Sequence, residues 1–173
     1  MDLELKLALL GVAATAVMSM LGHLLKERRE RSATRQAFLA EVSSMAEIAR
    51  VRRYVEDLRS SARELVVANQ DGVQEGQAFE VPIDVNGYRP VWNAYLTKLG
   101  CLTAHETGQI VRFYQLLDSV IRDVTAGGIL FRGTTDAKDF EDTATVLESA
   151  LQIADDLCSE PTGWAARLWS FRH

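Results

Sequence analysis

Between Lys6 and Lys26 the chain carries no Asp, Glu, Lys or Arg, and this run, LALLGVAATAVMSMLGHLL, limits every later assignment. As a helix, the nineteen residues from Leu7 to Leu25 rise about 28 Å, close to the ~30 Å hydrocarbon thickness of a bilayer. A secretory signal places positive residues ahead of its apolar core. Here the start is Met-Asp-Leu-Glu-Leu-Lys and the positives follow instead: Lys26, Arg28, Arg29, Arg31 and Arg35 against Glu27 and Glu30, a net of plus three. Basic residues keep their flank in the cytoplasm. The run therefore predicts an uncleaved membrane anchor over residues 1–25 of a bacterial inner-membrane protein, with the N-terminus outside and the C-terminal domain cytoplasmic. The basic collar is expected to meet anionic lipid headgroups. A buried helix of a soluble protein is the competing reading, because Thr15, Ser19 and His23 lower the apolarity of the run.

Gly11, Thr15, Ser19 and His23 recur every four residues, which puts small and polar groups on one stripe of a helix. Small residues at this spacing let membrane helices approach closely. The stripe predicts self-association, or pairing with another membrane protein, against the duller explanation that an alanine-rich span produces such spacing by chance.

Beyond the collar, Phe38, Val42, Met45, Ile48, Val51, Val55, Leu58, Ala62 and Leu65 step by three or four residues, and no Pro or Gly interrupts Lys26 to Asn69. That periodicity predicts one long amphipathic helix over 26–68, fused to the anchor. Residues 69–87 hold three glycines and one proline and read as a loop with a short extended piece at Phe79–Ile83. Further helices are expected from Tyr88 to Gly100, from a Thr103/Glu106 capping box to about Thr125, and from about Ala137 to Ser159. The fold class is all-α: an N-terminal transmembrane helix continuing into a long helix, then a cytoplasmic helical bundle over 69–160. An amphipathic aromatic tail, 161–173, places Trp164, Arg167, Trp169 and Phe171 at the membrane interface, in a partner groove or back on the bundle. The two cysteines, Cys101 and Cys158, read as reduced thiols packed in the core.

Reactive constellations are absent from the pattern. His105-Glu106-Thr107-Gly108-Gln109 begins as a zinc HExxH motif does, but Gln109 stands where the second imidazole is needed to close the metal site. Gly127-Gly128 and Gly133 precede no Gly-Lys-Ser/Thr, and helix termination accounts for them. Three scattered histidines define no triad. No catalytic residue, metal or cofactor is assigned, and the chain does not read as an enzyme. A formal net charge of −5, concentrated after the collar, disfavours nucleic acid. The densest candidate ligand or partner surface combines Tyr88, Arg89, Trp92 and Tyr95 with Arg112 and Tyr114, because rings with interleaved Arg offer stacking and anion pairing. The same spacing also suits core packing.

The stretch YLTKLGCLTAHETGQIVRFYQLL, residues 95–117, resembles a helix-pair pattern of small uncharacterised bacterial single-pass membrane proteins. The resemblance is clearest over 88–125. It implies a cytoplasmic helical domain on a single span and transfers no catalytic residue. The expected function is a membrane-anchored interaction or scaffold protein that recruits or senses a partner at the cytoplasmic face, with membrane lipid and a homo-oligomer or second membrane protein as partners. The alternatives are an oligomerising signalling or toxin-like effector acting through its span and, with least support, a membrane-bound enzyme.

Overall fold

The computed structural model describes residues 3–72, 76–83 and 87–159, residues 3–14 by backbone only. The chain is all-α. Its elements are α1 (Leu3–Val51), α2 (Tyr54–Gln70), α3 (Pro90–Tyr95) running into a 3-10 turn (Leu96–Cys101), α4 (Ala104–Val124), α5 (Ile129–Arg132) and α6 (Ala137–Ser159). Helix α6 is the hub, packing against α1, α2, α4 and α5.

The continuous helix expected over 26–68 is not formed. Arg53, at φ 57°, takes the left-handed conformation between α1 and α2, and its amide donates to the Arg50 carbonyl at 2.9 Å while its own carbonyl accepts the Asp57 amide at 3.0 Å. Packing length gives the reason. A straight helix from Thr34 to Asn69 would reach about 53 Å, whereas α6, with 23 residues, spans only about 35 Å. Folding back at Arg53 lets both halves of the apolar stripe use α6. The phase changes at the same place: Phe38, Val42, Ala46 and Ala49 are buried, while Ile48 and Val51 of the expected stripe are exposed.

The core has two adjoining clusters. One gathers Phe38, Val42 and Ala46 of α1 with Ile110, Phe113 and Tyr114 of α4 and Ile153, Ala154 and Leu157 of α6. The other joins Leu58, Ala62 and Leu65 of α2 with Val120, Val124, Leu130, Phe140, Ala144 and Leu147. Described residues of segments 26–68 and 69–160 pack into the same two clusters.

Local chemistry sets the ends. Thr103 Oγ1 accepts the Glu106 amide at 3.2 Å and the Glu106 carboxylate accepts the Thr103 amide at 2.9 Å, completing the expected capping box of α4. Asp136 Oδ1 accepts the Lys138 amide at the start of α6. After α4, Gly127 turns with φ 94°, and a Cβ on Gly128 would lie 2.0 Å from the Arg122 carbonyl oxygen, so only glycine fits there. Residues 79–83 form no helix and no strand. The segment is anchored where the Phe79 amide reaches the Leu130 carbonyl at 2.8 Å, just after an isolated antiparallel bridge between Gln77 and Thr134.

The first part of α1 behaves differently. From Thr15 to Ala33 every side chain is exposed, and burial begins at Thr34. Among the described residues no helix is long and apolar enough to cross a membrane. The run Leu7–Leu25 enters that description with its side chains only from Thr15 onward.

Candidate functional site

The surface proposed around Tyr88, Arg89, Trp92, Tyr95, Arg112 and Tyr114 divides into two parts. Its rings are core. The Trp92 and Tyr114 rings lie 4.3 Å apart, and Phe38 meets Trp92, Tyr95 and Tyr114 edge-on at 6.3, 6.4 and 6.5 Å. Tyr114 is buried and Trp92 and Tyr95 are partly buried against its cluster, so these three rings pack into the joint of α1, α3 and α4. The cation is committed as well. Arg89 Nη1 and the Tyr88 hydroxyl both donate to the Asp118 carboxylate of α4, and the Arg89 guanidinium stacks 5.2 Å from the centre of the Tyr88 ring. Burial and then the bond to Asp118 push the Tyr88 phenol up, so it stays protonated and donating. Arg112 is exposed and takes no part in these contacts.

Two buried carboxylates, not singled out as site residues from sequence, organise this region. Glu41 of α1 accepts the Val91 amide at 2.7 Å and the Trp92 amide at 3.0 Å, the first open amides of α3 after Pro90. It also accepts the Tyr114 hydroxyl, whose pKa burial and this contact raise. A carboxylate on a helix start satisfies orphan donors and meets the positive end of the dipole, so Glu41 staples α1, α3 and α4 together. Glu106 does the same for α1 and α4. It accepts Arg35 Nε at 2.7 Å, Arg31 Nη2 at 3.1 Å and the Thr103 hydroxyl at 2.6 Å. Burial works against its charge, but the Thr103 hydroxyl and amide, then Arg35 and Arg31, bring the carboxyl down to about 2.

That contact changes the collar. The Arg35 side chain is 12% exposed and bound to Glu106, so it belongs to the bundle and not to a lipid-facing ring; Arg31 is half-exposed and pairs there too. Lys26, Arg28 and Arg29 remain on the exposed length of α1. Thr15, Ser19 and His23 of the stripe are likewise exposed, with His23 Nε2 3.1 Å from Glu27 Oε1 one turn on. Gly11 falls where α1 is described by backbone only, and the tail residues Trp164, Arg167, Trp169 and Phe171 lie outside the described residues.

The cysteines were expected in the core, yet both are exposed free thiols. Cys101 closes the 3-10 turn and Cys158 occupies the outer side of the last turn of α6, next to buried Leu157. Arg50 and Arg59 form exposed ion pairs with α6, Arg50 to Asp155 at 2.8 Å and Arg59 to Glu148 at 2.7 Å. His105 is exposed beside the capping box that occupies Glu106, and among the described residues no group of His, Cys, Asp and Glu is placed to hold a metal ion.

A cavity of about 420 Å³ lies where α1 ends, α2 begins and the Phe79–Ile83 piece crosses α4. Met45, Leu58, Phe79, Leu117 and Ile121 form its walls, and Arg52 stands at it from the turn between α1 and α2. No protein-family model, curated protein or solved structure matches the chain.

Proposed function

We propose that this protein is a single-pass membrane-anchored interaction module, with the start of α1 in the bilayer and the bundle recruiting or sensing a partner at the cytoplasmic face. The observation that carries the reading is the exposed length of α1. Val17, Met18, Met20, Leu21, Leu24 and Leu25 are all exposed, with none of them buried by the described residues. Covering a side chain of this kind contributes about 1.5–3 kcal/mol, so a projecting helix with six of them calls for an apolar surround. Lipid supplies one along the whole helix surface. Lys26, Arg28 and Arg29 follow directly, where headgroups and the cytoplasmic side would hold them. The polar stripe, exposed on the same length, supports the second reading, an oligomeric effector in which spans pair through Thr15 and Ser19.

The two exposed thiols test the topology without any engineering. In intact bacteria, a membrane-impermeant maleimide should leave Cys101 and Cys158 unlabelled, and should label both once the cells are broken. The chain should also stay in the membrane pellet through a carbonate wash. Labelling of intact cells, or release by carbonate, overturns the reading.

A further inference from the structure

We infer that the cavity at the joint of α1 and α2 binds a single-chain amphiphilic anion, a medium-chain acyl carboxylate, with its tail among the apolar walls and its head on Arg52. The inference goes beyond the anchoring reading and stands without it. Ligand pockets are commonly 300–1,000 Å³, mostly apolar, with a few placed polar groups, and this cavity of about 420 Å³ has that character.

The composition of the wall selects the ligand. Among the described residues, those lining it apart from Arg52 are Met, Ile, Ala, Leu, Phe, Val, Pro and Gly with two tyrosines, Tyr54 and Tyr88, so Arg52 is the one formal charge among the described residues of the lining. The Tyr88 hydroxyl is already bound to Asp118. Arg50 and Arg59 on either side of Arg52 in sequence are paired with carboxylates of α6, whereas Arg52 makes no ion pair with any described residue. A guanidinium at an apolar cavity with no acid among the described residues of its lining favours an anion, and a carboxylate matches its forked donors. Size sets the chain length. A cavity of about 420 Å³ lies near the small end of the ligand-pocket range. One medium acyl chain fits, and the two long tails of a phospholipid do not.

Placement gives such a ligand a consequence. Ile48 and Ala49 of α1, Arg52 of the turn and Leu58 of α2 all border the space, so an occupant braces the joint whose pivot is the left-handed Arg53. A bundle that senses an amphiphile would pass that signal to α1 here.

The test is equilibrium binding of radiolabelled dodecanoate to the purified full chain in phosphatidylcholine nanodiscs, with empty nanodiscs as the partition control. Should the chain stay out of the discs, which is a failure of anchoring and not of the cavity, the same titration is read in buffer. Saturable binding at one per chain is expected, weakened about tenfold by Arg52→Gln. Dodecanol should bind wild type no better than dodecanoate binds Arg52→Gln, and octadecanoate should bind more weakly than dodecanoate. Ile48→Trp should abolish binding by filling the mouth, and because Ile48 is exposed the fold tolerates the change. A circular-dichroism melt of both variants confirms that they are folded. Binding no greater than to empty discs, binding indifferent to both folded variants, or equal binding of dodecyltrimethylammonium overturns the proposal.

Discussion

Glu106 answers to three neighbours at once, capping α4 through Thr103 while neutralising Arg35 and Arg31 of α1. Its folded pKa of about 2 lies below the ordinary carboxyl value of 4.5. The unfolded chain therefore takes up this proton first as pH falls, and the folded state loses stability between about pH 5 and pH 2. The full contribution, about 3 kcal/mol, is present above pH 5. Urea unfolding of wild type at pH 7, 4.5 and 3 should show that decline. Glu106→Gln should cost about 2–3 kcal/mol at pH 7 and flatten its own share of the slope, and an unchanged slope would remove Glu106 from the joint. The local half of this role was legible, since Thr103 and Glu106 sit three residues apart and a capping box is a short-range pattern. The other half was not. Arg35 lies 71 residues from Glu106, and a guanidinium behind an apolar run reads as lipid-facing until the fold supplies its carboxylate. Glu41 was hidden for the same reason, as an acid on a helix whose partners, the Val91 and Trp92 amides, exist only once α3 is placed.

At the scale of elements, helix positions followed from periodicity and caps: α4 and α6 lie where apolar spacing, glycines and the Thr103/Glu106 capping box put them. The break at Arg53 left no mark of that kind. Arg52 and Arg53 are good helix formers, and the reversal is imposed by the length of α6. A non-glycine residue held left-handed carries a backbone cost of about 1–2 kcal/mol, which tertiary packing offsets. Arg53→Gly removes that cost but adds about 0.5–1 kcal/mol of unfolded-state entropy, so it should be neutral or stabilising by up to about 1.5 kcal/mol. Arg53→Ile, whose branched side chain resists this conformation, should be less stable than Arg53→Gly by about 2 kcal/mol in chemical denaturation. Equal stability of the two variants would mean that α1 and α2 run straight in solution.

For the molecule as a whole, the decisive contrast is between a length of α1 that contributes nothing to the core and a length that the core depends on. No side chain from Thr15 to Ala33 is buried, whereas Thr34, Phe38, Glu41 and Val42 are, and Phe38 touches the rings of Trp92, Tyr95 and Tyr114. A chain beginning at Lys26 should therefore keep Arg31, Arg35 and the entire bundle. It should melt within ~2 °C of the full-length protein, a difference below about 1 kcal/mol for a chain of this size. It should also leave the membrane pellet. A chain beginning at Ala40 lacks Arg35 and Phe38, and loss of a buried Phe alone costs about 3–5 kcal/mol, a large part of the 5–15 kcal/mol that holds a domain of this kind together. That shorter chain should show no cooperative melt. Were the chain from Lys26 to unfold, the exposed apolar length of α1 would be packing on the bundle rather than standing clear of it, and the apolar run would belong to the core after all. Were it to fold yet remain with membranes, the retaining contact would lie in the bundle, and the anchor would have to be sought there.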